Sequence, residues 1–125
     1  MQKETRDWLE YARRDLDAAE KNAEVGISYV AVVLAQQAAE KALKALLVER
    51  TGEPPPRTHS LEALAAQLRL SDEAPDGTVD LTRYYTTARY PDGSSESGEE
   101  DVSQATAEWA IGVARGILEL VEEHL

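Results

Sequence analysis

Residues 32–47 read Val32-Val33-Leu34-Ala35-Gln36-Gln37-Ala38-Ala39-Glu40-Lys41-Ala42-Leu43-Lys44-Ala45-Leu46-Leu47. Within them Val32, Ala35, Ala39, Leu43, Leu46 and Leu47 keep the spacing of one helix face. The alanines carry little side-chain volume, so a neighbouring helix can approach closely. Ser28 is placed to cap this helix, which runs to about Arg50. Gly52 and Pro54-Pro55-Pro56 end it, because proline lacks the N–H and clashes with the preceding turn.

The segments on either side repeat the period. Trp8, Ala12, Leu16, Ala19 and Ala23 form one stripe, with Gly26 as a helix stop after it. Downstream, Ser60 or Thr58 caps a short helix with Leu61, Leu64, Ala65 and Leu68 on one face. Asp80 to about Ala88 reads as a second short helix, weakened by Thr82, Thr86 and Thr87. Ser97 and Glu100 have capping-box spacing before a final helix presenting Val102, Thr106, Trp109, Val113, Ile117 and Leu120. No useful period-two segment appears. The expectation is an all-α chain, an antiparallel up-and-down helical bundle of three long helices and two short ones, forming a single domain over residues 1–125. The wide apolar faces suit either a monomer core or a face kept for a partner.

Composition narrows function. The 125 residues carry a net charge of −11, and sequence-independent nucleic-acid binding, which rests on basic residues releasing counterions, does not fit that balance. The charge is uneven. Residues 1–70 hold ten basic and eleven acidic side chains, whereas residues 71–125 hold three and thirteen. Cysteine is absent, which removes disulfides and thiolate chemistry, and two histidines without His-x3-His spacing give no zinc motif. The longest apolar run, Tyr29 to Ala35, is too short to span a membrane, and the charged start does not read as a signal peptide. A cytoplasmic location is expected. No Gly-rich phosphate loop is present, neither histidine has Glu three residues before it, and an EF-hand beginning at Asp92 fails at Ser97. No metal, cofactor or catalytic residue is assigned.

Three polar groups remain. In the first, Gln37, Glu40, Lys41 and Lys44 lie three or four apart, beside Gln36. They form either a solvated Glu40–Lys44 network or a polar seam against another helix or subunit. The second is His59-Ser60-Leu61, where the imidazole either caps and packs or serves chemistry. The third is Tyr84-Tyr85-Thr-Thr-Ala-Arg89-Tyr90-Pro91-Asp92. Arg can grip a phosphate and Tyr can stack on a base, so the mixture suits a nucleotide; an Arg89–Asp92 pair closing a turn over core tyrosines explains it equally well.

In this order and spacing the groups resemble the HEPN domain (higher eukaryotes and prokaryotes nucleotide-binding). Trp8, Ala12, Asp15-Leu16 and Ala19 resemble the pattern of its first helix, and Gln36 to Leu46 its QQAxEKxLKAL helix. His59-Ser60-Leu61 with Leu64 is similar to the start of its next helix, and Tyr85 with Arg89-Tyr90-Pro91-Asp92 to the segment of its stand-alone prokaryotic members. The resemblance implies a bundle that forms homodimers and acts with a minimal nucleotidyltransferase as a toxin–antitoxin-like pair. It makes Arg89, Tyr90, Asp92, Tyr85, Lys41, Lys44 and His59 candidates for binding a nucleotide, and Gln36, Gln37 and Glu40 candidates for a polar seam or dimer interface. Other members are metal-independent ribonucleases with Arg, four to six residues, then His. That motif is missing: Ser94, Ser95 and Glu96 stand near where His is required after Arg89, and His124 follows Arg115 at too great a distance. A noncatalytic role is therefore expected. The alternatives are a ribonuclease that brings His59 to Arg89 by folding, and a purely structural dimerisation module.

Overall fold

The computed structural model describes residues 1–89 and 102–125, and it contains five helices. These are α1 (Lys3–Glu24), α2 (Ser28–Thr51), α3 (Leu61–Gln67), α4 (Thr78–Arg89) and α5 (Gln104–Glu123). No strand occurs among the described residues. The all-helical expectation holds, with three long elements and two short ones. The readings at Tyr90, Asp92 and the Ser97–Glu100 spacing lie outside the described residues.

The central element is α2, which touches each of the other four helices. Its composition explains that position. Residues 42–48 are buried without a break, so the helix has no wide wet face and must be surrounded. Alanines make close packing possible: Ala12 and Ala19 of α1 and Ala31, Ala35, Ala39, Ala42 and Ala45 of α2 are fully buried. Leucines fill the space left over, with Leu9, Leu43, Leu46, Leu61, Leu64 and Leu81 fully enclosed. The α1 start is tied to the far end of α2 by Glu49, whose Oε1 accepts from the Gln2 backbone N–H at 3.0 Å and from Thr5 Oγ1 at 2.9 Å. The Gln2 N–H, then the Thr5 hydroxyl, hold the Glu49 carboxyl below its ordinary pKa. No helix among the described residues is long and apolar enough to cross a membrane.

Helix starts depart from the sequence reading in three places. Ser28 does not cap α2. Ile27 occupies the N-cap, because the tight turn after α1, closed by the Ile27 N–H on Asn22 O at 2.9 Å, already brings Ser28 into the helix. Ser28 Oγ instead lies 3.4 Å from Gln104 Oε1. For α5 the cap is Ser103, whose Oγ accepts from Thr106 N at 3.1 Å, later than the Ser97–Glu100 spacing suggests. The fourth helix starts at Thr78, with the Leu81 N–H on Gly77 O at 2.8 Å.

Gly77 is the residue this last start depends on. Its φ of +93° lies in the left-handed region, and a Cβ there would stand 2.8 Å from Trp109 Cζ2. Gly26 has a φ of +82° but open space around the same position. Gly26→Ala should thus cost only the backbone term, about 1–2 kcal/mol. Gly77→Ala should add overpacking against Trp109, roughly 1–3 kcal/mol more. Urea unfolding of the two variants measures the difference, and equal losses would show that Trp109 yields freely.

Candidate functional site

The polar residues of α2 do not share one face. Successive helical residues turn by about 100°, which sorts them into two rows. Gln36, Glu40 and Lys44 form a buried row, with relative exposures of 0%, 4% and 7%. Gln37 and Lys41 form a half-buried one beside it. Of the two readings left open above, the seam against other helices is the one the structure contains.

Each member of the buried row has a partner, as a polar group in a core requires. Gln36 Nε2 donates to the His59 carbonyl at 2.8 Å, fixing the chain just before α3. Its Oε1 lies 3.5 Å from Thr82 Oγ1, and that oxygen accepts from the Leu61 N–H at 3.3 Å. One amide therefore joins α2, the start of α3 and the middle of α4. Ser60 caps α3, its Oγ accepting from Ala63 N at 3.1 Å.

Four residues further along α2, the Glu40 carboxylate takes Lys44 Nζ on Oε2 and His59 Nδ1 on Oε1, both at 2.9 Å. The Lys44 ammonium is also held 5.9 Å from the centre of the Trp8 ring. It faces the interior rather than presenting charge to solvent. His59 does the reverse: its backbone and Nδ1 are tied inward while its side chain is 62% exposed. Beside it stands Tyr85, with ring centroids 5.9 Å apart, and the Tyr85 hydroxyl accepts from Gln37 Nε2 at 2.9 Å.

The structure thus brings together Gln36, Gln37, Glu40, Lys44, His59 and Tyr85. It sets Lys41 apart, turned toward α1, where Nζ meets Asp15 Oδ2 at 2.5 Å and the Tyr11 ring centre at 5.9 Å. Arg89 is the last residue of α4, one turn beyond Tyr85. Tyr90 and Asp92 lie outside the described residues. Asp15, Thr82 and Trp8 belong to these networks although the sequence reading gave them no polar role. The signal for Asp15 was an acid placed directly before a buried Leu16. A separate hollow between α3 and the start of α4, lined by Glu62, Ala66, Asp76 and Val79, shares no residue with the site. Among the described residues no cluster of three His, Asp or Glu side chains is arranged to hold a metal ion.

The buried pair makes a sharp energetic prediction. Glu40→Leu leaves the Lys44 ammonium buried without its counter-charge, and this should cost about 3–5 kcal/mol. Replacing both partners, Glu40→Leu with Lys44→Met, removes the stranded charge and should recover most of that loss. Chemical denaturation of the three proteins decides it: a double variant no more stable than Glu40→Leu would contradict the account.

Comparison with known proteins agrees with this architecture. The HEPN domain profile matches residues 5–124. The crystal structure of TT1696 from Thermus thermophilus superposes with a TM-score of 0.85 at 36% identity, covering 99% of this chain and 100% of that one. The crystal structure of ST0689, described as an archaeal HEPN homologue, gives a TM-score of 0.75 at 32% identity over 99% and 98% of the two chains. No curated protein matches the sequence. With a family match over almost its whole length and two solved relatives above 30% identity, the chain belongs to the HEPN domain family.

Proposed function

We propose that this HEPN protein is a noncatalytic, homodimeric subunit that binds a nucleotide on the α2–α3–α4 face and acts with a minimal nucleotidyltransferase. The observation that carries the reading is convergence. Gln37 and Glu40 from α2, His59 from before α3 and Tyr85 from α4 are distant in sequence yet meet within hydrogen-bond or ring-contact distance. The exposed imidazole suits a base or sugar, with the Tyr85 ring buried behind it rather than open for stacking, and Arg89, four residues after Tyr85 in the sequence, is the candidate for phosphate. Dimerisation draws support from the first turns of α2, where Tyr29 is exposed and Val30, Val33 and Leu34 are only half-buried. A basic partner surface would find its complement in the acidic residues beyond 70.

A ribonuclease is the second reading, and one observation favours it: folding gives His59 a carboxylate partner that orients its ring, an arrangement a general-base histidine can use. ATP and GTP should raise the melting temperature of the native protein, and Arg89→Ala should abolish the rise. An unchanged shift in that variant would remove Arg89 from the site. Labelled RNA should stay intact under the same conditions, and cleavage lost in His59→Ala would move the assignment to the ribonuclease. For the partner, co-expression with a small nucleotidyltransferase encoded in the adjacent reading frame should yield a complex that survives gel filtration. Separate elution of the two proteins would exclude the pairing.

A further inference from the structure

Binding alone does not use everything that Glu40 does to His59. A neutral imidazole carries one N–H, and here it is Nδ1 that faces a carboxylate oxygen at 2.9 Å. The lone pair then belongs to Nε2, on a side chain that is largely exposed. Glu40 cannot swing away, because Lys44 grips its other oxygen and its side chain is only 6% exposed. The Gln36 amide also fixes the His59 backbone. Orientation by a buried carboxylate is what turns an imidazole into a directed reagent, since the bond at Nδ1 fixes which nitrogen carries the lone pair and where it points.

We propose that His59 Nε2 is a phosphoryl-acceptor site, modified by small donors of the phosphoramidate or acyl phosphate class. The Nε2 lone pair attacks phosphorus and forms the N–P bond. The bond from phosphorus to the leaving group breaks, and its electron pair departs with that group. Phosphoramidate reacts as the zwitterion, so ammonia leaves and no further proton is needed. The ring keeps Nδ1–H and becomes cationic, with Glu40 opposite the new charge. Arg57, exposed and two residues before His59 in the chain, adds positive charge to the segment that carries the imidazole and so favours an anionic electrophile over a neutral one.

The chain contains its own control. Its other histidine, His124, has Nε2 at 3.8 Å from Glu73 Oε2, and that carboxylate is 54% exposed. Native protein incubated with potassium phosphoramidate, with no nucleotide present, should gain one acid-labile phosphoryl group. Peptide mapping should place it on His59, formed about tenfold faster than any label on His124, and phosphorus NMR should assign it to Nε2. His59→Gln should lose that label, and folded Glu40→Gln should slow it by about tenfold. Equal labelling of the two histidines in the native protein would overturn the proposal, whether or not Glu40→Gln folds. So would attachment at Nδ1, or a folded Glu40→Gln that reacts at the native rate. Because no nucleotide enters the experiment, its result is independent of the nucleotide-binding reading.

Discussion

A single carboxylate, that of Glu40, holds together parts of this protein that the apolar core leaves undetermined. Leucine and alanine contacts bring the helices into a bundle, but such contacts are not directional and tolerate small slides of a short helix. The segment from Gly52 to Ser60 that joins α2 to α3 has few apolar residues of its own to bury. Its end is positioned by polar bonds instead, with Glu40 taking the His59 ring and Gln36 the His59 carbonyl. Lys44 makes that carboxylate tolerable inside the bundle, since the buried charges of Lys44 and Glu40 cancel. Without the ammonium, Glu40 would be a costly buried anion; without Glu40, Lys44 would be a costly buried cation.

This dependence explains why so many polar residues sit within an enclosed helix. An all-apolar α2 would keep its aliphatic packing against α1 and α5, losing there the ties of Glu49 and Lys41 to α1. It would give α3 and α4 no preferred register. The amide of Gln36, completely enclosed, bonds to the chain before α3 and lies beside Thr82 of α4, so both short elements are aligned to the same turn of α2. Gln37 repeats the arrangement on the neighbouring row through the Tyr85 hydroxyl. Short helices carry little stability of their own, and directional bonds to a long one locate them.

The bundle was legible because its signals are periodic. Every apolar position assigned to α2 is buried, as are Ala12, Leu16, Ala19 and Ala23 of α1. The helix starts were less so, because a cap depends on backbone geometry that composition does not encode. Ser28 has the right side chain for a cap, but the turn from Asn22 to Ile27 places it one residue too late. At the site, the residues were readable and their arrangement was not. Glu40 and Lys44 at a four-residue spacing have the same sequence signature whether they are wet or buried. Only the neighbours decide, and His59 comes from nineteen residues away. The family pattern marked these residues together, and packing shows which ones touch.

The charge distribution takes on a different meaning once the contacts are known. Half of the ten cations of the near-neutral first seventy residues stand in ion pairs. Lys44 is balanced by Glu40, Lys41 by Asp15, Lys3 by Asp7 and Lys21 by Asp17, while Arg13 reaches across to Glu122 of α5. Arg115 of α5 in turn pairs with Glu20 of α1. Pairing these cations reduces the positive field that would attract a long polyanion, in line with the net charge of −11. A small phosphorylated ligand makes a different demand, because it needs one or two directed groups rather than a field. The Glu40–His59 pair is directed in that sense, a buried carboxylate orienting one exposed imidazole.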